Sequence, residues 1–199
     1  MTDASLNALP LPVRSQELLD RMATRRSAPA QQLVAPAPAG SDLDTLLSLA
    51  LRSPDHGKLA PWRLVVLGPD SRAQIVQKLT FMTERLPDPV KSKAVLSKLA
   101  NPPLTVLVVS SPVQGHKVPV WEQELSAGAV CMNLEHAANA LGYSASWITD
   151  WYSFDAEALA LFGVSDGEKI AGFIHIGTLT EPPLERPRPT PSERVEIRP

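Results

Sequence analysis

Cysteine is nearly missing from this 199-residue chain: Cys131 stands alone, so no internal disulfide can form. No basic stretch followed by an apolar run opens the sequence, which argues against a secretory signal and for a cytoplasmic address. No apolar run approaches the roughly 20 residues that a membrane helix requires. Charge of either sign is not in excess. A formal net charge of -2 and a pI near 6.1 give no general pull toward nucleic acid or an anionic membrane, so any anion must be caught by a local cluster and the partner should be a small molecule. The chain has no GxGxxG after a strand, no GxxxxGK followed by Ser or Thr, no HExxH and no GxSxG. Its four histidines, His56, His116, His136 and His175, are scattered singly beside one cysteine, which leaves little for a tetrahedral zinc site. Any catalysis therefore falls to a bound organic cofactor.

Proline, by contrast, is abundant. The 20 prolines are about twice the usual share of roughly 5%, and they mark connectors and tails. Residues 1–14 read as a flexible leader, Pro29 to Gly40 as a proline-alanine connector, and 181–199 as an extended arm that proline rings keep from coiling. On composition alone that arm is a disordered end. Residues 15–180 remain as one domain, and 44% hydrophobic content suffices for a single core.

Ser15 is a plausible N-cap for a first helix whose apolar stripe is Leu18, Leu19 and Met22, ending in Arg25-Arg26-Ser27. Ser41 and Asp42 open a second, which Pro54 stops near Arg52 or Ser53. Strands are expected at Trp62 to Leu67, Leu104 to Val109, Ser144 to Thr149 and Ile170 to Thr178. Helices are expected at about 71–85, 90–100 and Asp155 to Phe162. Val120 to Leu141 is the longest helix candidate. Its stretch from Leu125 to Leu134 is apolar or small on nearly every side, which predicts a central position. The inventory is α+β, helices around a central, mostly antiparallel sheet. A sheet edge then needs cover, and the arm is one way to supply it, in its own chain or by crossing to a second copy.

Three segments could carry chemistry. Arg25-Arg26-Ser27 offers two guanidinium forks and a hydroxyl, suited to a phosphate monoester, although a basic helix end complementing the macrodipole reads the same way. The loop from Arg52 to Trp62 holds Arg52, His56 and Lys58, three potential donors to phosphate or carbonyl oxygens. His116 to Gly128 starts the long helix with charges and then packs small residues. Gly128 inside that helix predicts close approach of another backbone. Trp121 reads as packing, and Cys131 as a buried small hydrophobe.

Arg-Arg-Ser at the end of the first helix, a Pro-Asp-His loop closing on Pro-Trp, and His-Lys-Val-Pro followed by Trp-Glu-Gln and Ser-Ala-Gly together resemble the small NAD(P)H nitroreductase branch of the nitroreductase superfamily. The resemblance runs from about Glu17 to the arm. It implies a nitroreductase-like sandwich, a domain-swapped homodimer, and two FMN sites built from both subunits. Arg25, Arg26 and Ser27 would hold the FMN phosphate and ribityl chain, with Arg52 and His56 completing the anion site and Arg188 of the arm adding a further phosphate contact. Trp147, Ile148 and Thr149 would line the flavin ring, and Ala137 to Gly142 would meet the nicotinamide nucleotide. Relatives often carry glutamine where this chain has Ala60, a basic residue where Pro29 stands, and a polar one at Ile148; Lys58 is a candidate to replace the lost positive group near the ring. The activity implied is hydride transfer from NADH or NADPH to FMN, then reduction of an electron-poor acceptor such as a nitroarene or quinone. The departures leave open a flavin-binding or storage protein with little turnover, a flavin-dependent dehydrogenase of a dedicated substrate, and a module whose arm recruits a partner.

Overall fold

In the computed structural model, which describes residues 8–198, four strands form one sheet: β1 (Trp62–Leu67), β2 (Leu104–Ser110), β3 (Ser144–Ile148) and β4 (Lys169–Gly177). Their order is β1-β2-β4-β3 and every pairing is antiparallel. The central pair, β2 and β4, is the more apolar, as a sheet covered on both faces requires. Side-chain alternation along the strands sorts the core into two halves. Leu104, Val106 and Val108 of β2, with Ile174 and Ile176 of β4, pack against α2 (Ser41–Ala50) and α6 (Val120–Ala140). Leu107, Val109 and Phe173 face the other way, toward α3 (Pro69–Met82), α5 (Ser97–Ala100) and α7 (Ala156–Leu161); α4 (Pro89–Ala94) lies outside this cluster. The result is the expected α+β sandwich.

α1 (Gln16–Thr24) begins where Ser15 Oγ accepts the Leu18 amide, and ends where Arg25 turns into an extended conformation. The chain then runs along the sheet. The Ala28 amide donates to Ala145 O of β3 at 2.9 Å, and Val34 exchanges both backbone hydrogen bonds with Thr178 just past β4. The connector, not the arm, thus takes up part of the β3 side in this chain. Among the described residues no strand pairs with the outer edge of β1.

Four expectations need correction. The helix expected over 90–100 is two short ones, interrupted at Val95 and Leu96, where the Leu96 amide bonds to Lys93 O; Leu96 and Leu99, three apart, share the face that reaches the core. The arm does coil at one place, α8 (Pro191–Arg194), because Pro191 occupies the first helical turn, where its missing N–H costs nothing, and Thr190 and Glu193 form a reciprocal capping box. Gly128 meets no foreign backbone; an added Cβ would sit 3.8 Å from the Trp147 ring. Trp121, read as packing, is 61% exposed. Of the leader, residues 1–7 lie outside the described residues, and 8–14 carry no regular structure. Among the described residues no helix is long and apolar enough to cross a membrane.

Candidate functional site

The end of α1 delivers three arginines to one place. Arg25 leaves the helix in an extended conformation, and Ala28, restricted by Pro29 and bonded through its amide to β3, carries the chain away from the helix axis. Arg21, Arg25 and Arg26 then line a cleft of about 260 Å³ together with Thr24, Asn139, Tyr143 and Ser144. Each guanidinium is held from behind. Arg21 Nη1 donates to Asn139 O at 2.9 Å and pairs with Glu17; Arg25 Nη1 donates to Glu135 Oε2 at 2.9 Å; Arg26 Nε donates to Leu184 O at 2.8 Å. Arg188 reaches back from the arm, its Nη2 donating to Arg25 O at 3.3 Å and its Nε pairing with Glu185. Ser27 opens with Arg26 into a neighbouring cleft walled by Pro29, Gln32 and arm residues.

Glu135 is the residue that sequence reading passed over. It lies on α6 at 3% exposure, one position beyond the apolar stretch, with Oε2 on Arg25 and Oε1 accepting the Trp147 amide at 3.0 Å. Burial raises its pKa, while the Arg25 charge and the Trp147 amide pull it down. His136 beside it is pushed down by burial and by Arg25. A lone carboxylate four residues after buried Cys131, and so on the same helix face, was the available signal.

Trp147 leaves β3 on the α6 side. Its indole Nε1 donates to Ala171 O at 3.1 Å, and the ring covers Gly172, where a Cβ would come within 2.1 Å of it. Ile148 alternates to the opposite face and packs in the second core, and Thr149 is exposed beyond the strand. Of this segment only Trp147 is placed on the α6 face of the sheet.

The second loop is fastened to α6 by motifs that are far apart in sequence. Trp62 Nε1 donates to Ser126 Oγ at 3.0 Å, Ser126 Oγ donates to Pro54 O at 2.5 Å, and Asn133 Nδ2 donates to Ser53 Oγ at 2.9 Å. Pro-Trp and Ser-Ala-Gly are therefore two halves of one clasp. His56 Nδ1 lies 2.8 Å from Glu122 Oε2, and both line a cleft of about 440 Å³ with Pro54, Trp121 and Leu125. Lys58 and Ala60 adopt left-handed φ values of 55° and 46°, which cost a non-glycine residue roughly 1–2 kcal/mol each and hold the loop in an uncommon shape. Arg52 lines a different cleft, with Leu18, Leu49 and His136. Within one chain, then, Arg25, Arg26 and Arg188 come together and Trp147 is tied to them through Glu135, while Arg52, His56 and Lys58 do not join that cluster.

Comparison with known proteins sets this arrangement in context. Residues 22–178 match the family described as the nitroreductase family. The Escherichia coli (strain K12) protein named "Putative NAD(P)H nitroreductase YdjA" is 32% identical over 180 residues, spanning 88% of this chain and 97% of its own. A Haemophilus influenzae protein named "Putative NAD(P)H nitroreductase" is 30% identical over 164 residues, spanning 81% and 88%. Among solved structures, a nitroreductase-like family protein from Bacillus cereus superposes with a TM-score of 0.79 at 20% identity, covering 94% of this chain and 98% of the other. A nitroreductase with bound FMN from Bacteroides fragilis gives 0.73 at 18% identity, covering 92% and 99%.

Proposed function

This chain belongs to the nitroreductase family, and we propose on that premise that it is an FMN-dependent oxidoreductase that takes hydride from NADH or NADPH and reduces an electron-poor small molecule such as a nitroarene or quinone. The observation that carries the reading is the guanidinium cleft at the end of α1. A phosphate monoester carries roughly 1.5 to 2 negative charges near neutral pH, and arginine matches it with paired charge-assisted hydrogen bonds. Arg25 and Arg26, with the hydroxyl of Ser144 on the same cleft, are a donor set of that kind, while the Thr24 hydroxyl is spent on Asp20 O. The names of the relatives and the FMN bound by the Bacteroides fragilis protein point the same way. Bound FMN supplies two-electron chemistry, its ring taking up hydride and giving it up again.

The protein's own groups bind and orient. Arg25 and Arg26 would hold the phosphate, Ser27 the ribityl chain, and Arg188 would close the site from the arm. Trp147 would line the ring, and Asn139 and Gly142, which line the arginine cleft, would offer the end of α6 to the nucleotide donor. Arg52, His56 and Lys58 line other parts of the surface, so a site that uses them together with Arg25 draws them from a second copy.

The homodimer reading has independent support. Leu18, Leu19 and Met22 of α1, Leu49 of α2, Leu51 just after it, and Trp121 and Leu125 of α6 are all exposed. Large apolar side chains gathered on neighbouring helices mark an interaction surface, and burying each stabilises an interface by roughly 1.5–3 kcal/mol. Residues 181–199 are the arm; Leu184 and Arg188 hold it on Arg26 and Arg25 of its own chain, and in the same reading the stretch beyond them crosses to the partner.

The test begins with the visible spectrum of the purified protein and its mass in solution. A yellow dimer whose absorbance bleaches on anaerobic mixing with NADH or NADPH is the expected result. Bound flavin that neither nucleotide reduces would leave a flavin carrier or a dehydrogenase of another substrate. A colourless chain that takes up no added FMN would overturn the proposal.

A further inference from the structure

We infer that Glu135 is a positioning residue of the flavin site: one carboxylate holds both the Arg25 guanidinium and the Trp147 amide, and so sets the spacing between the phosphate end and the ring end. The inference rests on the FMN reading above. A carboxylate at 3% exposure in the middle of a packed helix is costly to bury unless it is paired, and Glu135 is paired twice, with the Arg25 guanidinium and the Trp147 amide. What an apolar residue could not do is bridge two elements. Arg25 follows α1 and Trp147 lies on β3; apart from Glu135, the Ala28 amide on Ala145 O is what joins these two segments directly. The planar guanidinium suits a bridge of this kind, since one edge can be pinned by a carboxylate while further N–H groups remain to serve the cleft that Arg25 lines. Pinning removes the rotamer freedom of a long side chain before any ligand arrives, and that cost is then no longer charged to binding.

Field and geometry predict opposite signs, which makes the inference testable. A negative charge behind Arg25 repels an incoming phosphate, so if Glu135 acted only through its field, neutralising it would tighten FMN binding. As a positioning residue it does the reverse. The FMN dissociation constant, read from the change in flavin fluorescence, is measured for the unsubstituted protein, Glu135→Gln, Arg25→Ala and the double variant. Glutamine keeps the shape and an oxygen for the Trp147 amide, but loses the charge on Arg25. Residues in one salt-bridge network typically couple by factors of about two to a hundred, so Glu135→Gln should raise the dissociation constant about fivefold or more. The same change should act less than about twofold in the Arg25→Ala background. An unchanged or lower constant in Glu135→Gln, or an equal loss in both backgrounds, overturns the inference. If Glu135→Gln does not fold, Glu135→Asp, which keeps the charge but withdraws it by one methylene, is read in the same way. Should the unsubstituted protein bind no FMN, the flavin reading falls and this inference with it; should it bind while Glu135→Gln binds equally well, only the inference falls.

Discussion

His175 of β4 is fully buried, with Nδ1 2.8 Å from Oγ1 of its cross-strand partner Thr105 and its ring stacked with Phe173. Thr105 Oγ1 also accepts from the guanidinium of Arg72, itself buried and tied to Pro102 O and Pro103 O. Burial, and then the Arg72 charge, push the imidazole pKa down to about 3. The unfolded chain therefore binds a proton below about pH 6.5 that the folded chain refuses. The stabilisation is fully present above that pH and drains away as pH falls toward 3. Urea midpoints measured between pH 7 and 5 should decline, with this group contributing about 1–2 kcal/mol by pH 5, and His175→Leu should flatten that limb. An equal slope in the variant would mean that other groups carry the acid response. The sequence placed His175 in a strand, Ile170 to Thr178, without marking it as interior. Its partner Arg72 was invisible, because contacts between residues so far apart are set by the packing of α3 on the sheet. Glu135 was missed for the same reason: its residue type was legible, but its two partners come from different elements.

The elements themselves were largely legible. Proline, glycine and alternating apolar residues fixed all four strands and the long helix to within a residue or two, because those signals are local. Where the structure differs, no local signal marks the difference. The 90–100 segment is interrupted at Val95 and Leu96 with neither glycine nor proline in it. Gly128 reads as a close-approach glycine, yet the tight positions are both on β4: Gly172, where the Trp147 ring leaves no room for a side chain, and Gly177, where Pro103 and Val34 O would lie within 2.9 Å of an added Cβ. Gly172→Ala should force that ring aside and break its hydrogen bond to Ala171 O. The expected cost is about 1–3 kcal/mol in unfolding free energy, with a shift in tryptophan emission. An alanine variant as stable as the parent and with unchanged emission would show that the ring is free to move.

At the scale of the molecule, the proposed second copy would account for both the exposed apolar side chains on α1, α2 and α6 and the separation of the two candidate binding groups. Leu125 is 63% exposed, so Leu125→Glu should leave the chain's own circular dichroism intact. Placed in an apolar interface, the new charge should weaken dimerisation by at least about tenfold, seen as a shift toward monomer in light scattering or sedimentation, with loss of FMN. A variant that stays dimeric moves the interface elsewhere. By itself the sequence determined the α+β class, the strand and helix positions, and the presence of basic clusters after α1 and ahead of Trp62, because periodicity, turn chemistry and residue type are local properties. Only the tertiary structure decided which basic groups share a cleft, that Trp147 and Ile148 face opposite layers, and that Glu135 joins Arg25 to β3, because these depend on which surfaces meet when separate elements pack.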